Sequence, residues 1–209
     1  MKLRFASLSL LAICLLAAVP AFANDVTLYP NGTVTSSGGA HDYNIKSPYS
    51  VSDPFTVVDS DIETLSIEYW DHSNTVFLNT VQMALGSTAF SGSFETLTAL
   101  SNTLQSGTAN SHGYYLVVAD FTFPSIDWIN GGWITLENAT IGTGGTVLWD
   151  ASDASLDAYN SSNGGVTKTA VYGETFSLDG DITPEPSSLL LLGSGMLGLA
   201  GMLRRKLAR

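Results

Sequence analysis

Asp59, Asp61 and Glu63 stand at alternate positions in "DSDIE", and Asp150, Asp153 and Asp157 crowd the stretch "WDASDASLD". "DGD" adds Asp179 and Asp181. Loop carboxylates of this kind, with backbone carbonyls, can supply the roughly six to eight hard oxygen donors that calcium takes. Neither cluster has the EF-hand spacing, and acidity kept for solubility is the plainer reading of both. A structural calcium ion is therefore the one cofactor the residue types suggest; no other is implied.

Other chemistries find less support. A serine nucleophile would want a Gly-x-Ser-x-Gly elbow with a histidine and an acid, and no such elbow occurs. His41, His72 and His112 are dispersed through turn-rich segments without His-x-x-x-His spacing, which argues against zinc. Glu63, Glu68, Glu95, Glu137 and Glu174 could pair for glycoside hydrolysis by residue type alone, but most should be the solvated faces of strands. Trp70, Trp128, Trp133 and Trp149 invite a sugar-stacking role. Aromatics in a β domain are first of all core residues, and Trp128, beside the turn in "SIDWINGGWI", is the best single candidate for a glycan platform. Asn31, Asn138 and Asn160 begin glycosylation sequons and are read as turn chemistry.

The elements that would position these residues are strands. In "TLSIEYW", Leu65, Ile67 and Tyr69 point one way and Thr64, Ser66 and Glu68 the other. In "GWITLENA", Ile134 and Leu136 oppose Trp133, Thr135 and Glu137. "YYLVVADFTF", "TVLWD", "DPFTVV" and "ETFSL" read as further strands, and "FETLTALSNTLQ" as a strand pair. Clusters such as "NGTVTSSGG", "GTGG" and "NSSNGG" punctuate them. Short strands at this spacing predict an all-β fold, a single antiparallel β-sandwich of jelly-roll-like type over residues 24–183.

Charge narrows the partners. Within residues 24–183 two lysines, Lys46 and Lys168, face eighteen carboxylates, a net of −16. Nucleic acid and anionic lipid both need a positive field, so neither is an expected partner of this segment.

Both ends carry addresses. Lys2 and Arg4 precede an apolar run from Phe5 to Val19, and then Pro20 and Ala21-Phe22-Ala23. That is a signal peptide over residues 1–23, with signal peptidase cutting after Ala23. The only cysteine, Cys14, falls inside it, so the mature chain must hold its fold without disulfides. At the other end, residues 187–203 are uncharged and rich in Leu, Gly and Met. As a helix they would reach about 25 Å, enough to predict a short transmembrane span. Arg204, Arg205, Lys206 and Arg209 follow and would stay in the cytoplasm. Pro184 and Pro186 fix their own φ and push Thr183 and Glu185 towards extended geometry, which keeps that strip open to a protease.

Pro184-Glu185-Pro186, the apolar run and the basic cluster, in that order, resemble the PEP-CTERM sorting signal. The resemblance covers residues 184–209 and implies processing by exosortase, a membrane transpeptidase of bacteria that make extracellular polysaccharide. Around "GWITLENATI", "VLWD" and "ETFSLDG" the middle region resembles the β-rich ectodomains that accompany this tail, which carry no assigned activity. The expected protein is exported and passes through a single-pass stage in the inner membrane. It then reaches the cell surface or extracellular matrix as a non-catalytic structural or surface-interaction component. A polysaccharide-binding module is the alternative reading, and a glycan-active enzyme the third.

Overall fold

A computed structural model describes residues 26–31, 42–57, 60–105, 107–128, 131–142, 145–152, 157–182 and 186–207. The expected signal peptide with Ala21 and Ala23 lies outside the described residues, as do His41, Asp59, Asp153, Pro184, Glu185 and Arg209.

The described chain is mostly strand: β1 (Val26–Asn31), β2 (Tyr43–Asn44), β3 (Ser50–Phe55), β4 (Ser60–Asp71), β5 (Leu78–Gly86), β6 (Glu95–Leu104), β7 (Tyr115–Trp128), β8 (Gly132–Ile141), β9 (Leu148–Trp149), β10 (Ala158–Ser161), β11 (Thr169–Val171) and β12 (Phe176–Ile182). One helix, α1 (Pro186–Leu207), ends it. Alternation sets the faces, because successive side chains of a strand point to opposite sides. Leu65, Ile67 and Tyr69 of β4 are fully buried, and so are Ile134 and Leu136 of β8. "FETLTALSNTLQ" forms one strand, β6, and not the expected pair.

The strands make one antiparallel sheet in the order β1-β12-β4-β7-β6-β5-β8-β3-β10-β11, with β9 pairing β2 and β4. This corrects the two-sheet expectation. β6 joins the halves: Glu95–Thr98 pair with β5, and Ala99–Leu104 pair with β7. The register shifts between Ala99 and Ser101, and a strand bent at such a bulge can serve both halves of a sheet. The product is a curled sheet, a half-barrel.

How far the sheet curls shows in its side chains. β1 and β3 are far apart in the strand order, yet the ring of Tyr29 lies 6.3 Å from that of Phe55, and its hydroxyl donates to the Pro54 carbonyl at 3.4 Å. The core enclosed this way holds Trp149, Tyr69, Phe121, Phe55, Ile62 and Leu136 among its fully buried side chains. Burying one such side chain stabilises the fold by roughly 1.5–3 kcal/mol. Gly180 sits at the bulge between β12 and β4, where a Cβ would stand 2.0 Å from the Asp61 carbonyl oxygen.

Candidate functional site: a buried acidic seam and an exposed tail helix

The seam where the curled sheet meets itself is lined by carboxylates. Asp53 follows Val51 and precedes Phe55 on the inward face of β3, so its carboxylate points where alternation calls for an apolar group. Oδ2 accepts a hydrogen bond from the backbone N–H of Glu174, which ties β3 to the segment leading into β12. Burial pushes the Asp53 carboxyl up to about 8, against the pull of that amide.

Glu174 is fully buried, and its backbone bridges Ala151. Burial first, then Asp53, Asp42 and Asp150, hold its carboxyl well above the usual range. Neither oxygen of the Glu174 carboxylate has a hydrogen-bond partner, and nor does Oδ1 of Asp53.

Asp150 is differently placed. Its carboxylate accepts from the Trp70 indole N–H and from the Thr175 hydroxyl at 3.1 Å. Its backbone N–H donates to the Glu68 carbonyl at 2.9 Å, and its carbonyl accepts from Thr175 N–H at 2.7 Å. Trp149 Nε1 donates to the Thr175 carbonyl at 2.9 Å. Asp150 therefore anchors two core tryptophans, one directly and one through Thr175. Burial lifts its carboxyl to about 7 despite the Trp70 bond.

The residues singled out in the sequence are scattered. Asp61 and Glu63 lie at the start of β4, half-buried and exposed respectively, whereas Asp150 is bonded beside Glu68 further along that strand. Asp157 is exposed just before β10. Among the described residues, no three His, Cys, Asp or Glu side chains gather closely enough to hold a metal. Trp128 is half-buried, its ring 5.7 Å from Phe55. A Cβ on Gly132 would stand 2.5 Å from the Trp128 ring, so the glycine that opens β8 makes room for it. Trp133 pairs with Tyr159 at 5.6 Å, both half-buried on the outer side of β8 and β10. His72 stacks on Tyr114 at 3.9 Å, and His112 lies exposed in a turn. Asp53 is not among the residues singled out from the sequence, although its place between Val51 and Phe55 at period two is a signal for it. Glu174 stands there only as one of five glutamates, because nothing local marks it as buried.

The tail presents the opposite environment. Pro186 opens α1, where a missing N–H costs nothing because that amide has no helical partner. Arg204, Arg205 and Lys206 occupy the last turn, where they complement the helix dipole. Leu199, Met202 and Leu207 are exposed to 63%, 75% and 75%. A Cβ on Gly193, Gly195, Gly198 or Gly201 would meet nothing within 4 Å.

Residues 183–206 match the PEP-CTERM protein-sorting motif. No curated protein matches the chain. The PEP-CTERM match takes in Pro184-Glu185-Pro186, the apolar run over residues 187–203 and Arg204, Arg205 and Lys206, the three parts of the sequence resemblance, and it stops short of Arg209. Such a signal implies an exported protein processed by exosortase. The transmembrane expectation needs correction: among the described residues, no helix is long and apolar enough to cross a membrane. Gly198 and Gly201 dilute the apolar character of α1, and its last turn is basic.

Proposed function

We propose that the chain is exported, recognised by exosortase through its PEP-CTERM tail, trimmed near Pro184-Glu185-Pro186 and delivered to the cell surface or extracellular matrix. There its acidic β domain acts as a structural or surface-interaction component in an exopolysaccharide setting, without catalysis. The match over residues 183–206 carries the first half of this reading. The exposed apolar side chains of α1 support it, since a helix that packs on its own domain would hide them. The sealed carboxylates support the second half. Asp53 and Glu174 have raised pKa values of the kind catalytic acids use. Both are buried within the seam, out of reach of a polysaccharide chain.

The test transplants the tail. Residues 183–209 are fused to an unrelated exported reporter and expressed with and without exosortase. Trimming and envelope delivery in the first strain alone are expected, and identical reporter mass in both strains would refute the reading.

A second reading, polysaccharide binding, rests on the half-buried pair Trp133 and Tyr159 and not on Trp128, which packs against the core. Retention of a polysaccharide by the full chain, lost on Trp133→Ala, would promote it; no retention at high concentration removes it.

A further inference from the structure

The two unpartnered oxygens of Glu174 and the one of Asp53 require an explanation. A buried polar group without a hydrogen bond is costly, and a buried unpaired charge far more so. Glu174 is 0% exposed and Asp53 1%, so bulk water does not solvate them. The charged groups that act on Glu174 are Asp53 from β3, Asp42 from before β2, and Asp150 from after β9, and all three are acidic. The charge of Glu174 also acts on the Tyr43 hydroxyl of β2, after burial, to hold its pKa above the usual value. Neither lysine of the domain is among them. Lys168 donates to the Ala89 carbonyl over the Phe90 ring, and Lys46 donates to the Gly145 carbonyl. The amide of Glu174 holds one oxygen of Asp53, which leaves the other as the unpartnered atom of that carboxylate.

We propose that this seam binds one calcium ion, with the Glu174 carboxylate as a bidentate ligand and Asp53 Oδ1 as a third oxygen. Three unpartnered hard oxygens on two residues joined by a backbone hydrogen bond suit calcium, whose remaining ligands can be carbonyls and water. Magnesium fits less well, because it keeps several waters and demands near-octahedral geometry. Two side chains carry the site, in keeping with the finding that no three gather among the described residues. Asp150 is not a ligand, because both its oxygens are engaged by Trp70 and Thr175. The ion would pin β3 to the start of β12 and so hold the curled sheet shut.

The experiment uses the full-length chain, purified in detergent and stripped with EGTA. Titration with calcium, followed by calorimetry and native mass spectrometry, is expected to show one ion per chain. The melting midpoint should rise with calcium as the site fills. Glu174→Gln and, separately, Asp53→Asn should each weaken binding at least tenfold. Calcium uptake equal in wild type and both variants would place the ion elsewhere and overturn the proposal. So would a stripped chain that takes up no calcium and whose midpoint rises only on acidification, since protons would then satisfy the carboxylates. If one variant fails to fold, the other decides, since each removes a charged ligand of the same ion.

Discussion

Replacing Asp150 separates two opposed contributions of one buried carboxyl. Asp150→Ala leaves the Trp70 indole N–H and the Thr175 hydroxyl without their acceptor. Each buried orphan costs about 1–3 kcal/mol, so a loss of roughly 2–6 kcal/mol is expected where Asp150 is protonated. The second contribution runs the other way. The carboxyl is raised from 3.8 to about 7, so the folded state holds its proton to higher pH than the unfolded state does. The stabilisation from that proton is complete below the unfolded value, and it is lost as pH rises through about 7. At ~1.4 kcal/mol per pKa unit the difference is on the order of 4 kcal/mol. Asp150→Asn keeps an acceptor and cannot ionise. It should exceed wild type by roughly 1–2 kcal/mol at pH 5 and by about 4 kcal/mol at pH 8.5. Asp150→Ala should be strongly destabilised at pH 5 and close to wild type at pH 8.5. Urea unfolding of the EGTA-treated full chain in detergent, followed by tryptophan fluorescence, reads all three proteins. Equal losses for Ala and Asn, unchanged between the two pH values, would refute the reasoning.

Three further expectations follow from the same geometry. Without calcium, wild type should lose stability steadily from pH 5 to 8.5, because Asp53 and Asp150 titrate at about 8 and about 7 in the fold; a midpoint that rises over that range contradicts the shifts. Gly132→Ala should displace the Trp128 ring and cost about 1–3 kcal/mol by overpacking, seen as a lower midpoint with altered tryptophan emission. Trp149→Ala removes a fully buried ring and its bond to Thr175, and should cost about 3–5 kcal/mol in urea unfolding, with an unchanged midpoint as the contrary result.

Legibility in the sequence followed the period of the strands. Residues 65–69 of β4 and 134–136 of β8 alternate apolar and polar types, and their inward side chains are readable from the sequence. β5 did not stand out, because its pairing with β8 shifts register at Leu78/Thr80 and again at Thr80/Gln82, which breaks the period. β9 shrank to Leu148–Trp149, since "TVLWD" spends most of its backbone on contacts outside the ladder, such as the bond between Val147 and Ile45. Curling was invisible, because it depends on β6 pairing with both halves and on Tyr29 meeting Phe55 across the core. The acidic seam was hidden for a related reason. Asp53, Asp150 and Glu174 are far apart in sequence, and only closure of the sheet brings their environments together. The tail, by contrast, is local: tripeptide, apolar run and basic cluster are contiguous, so Pro184 to Lys206 could be read directly.

The intact mass of the protein recovered from the envelope of its own cells bears most directly on the sorting reading. A mature chain that begins at Asn24 and lacks the basic residues Arg204, Arg205 and Lys206 is expected. A mature population that still ends at Arg209, in cells with active exosortase, would contradict it.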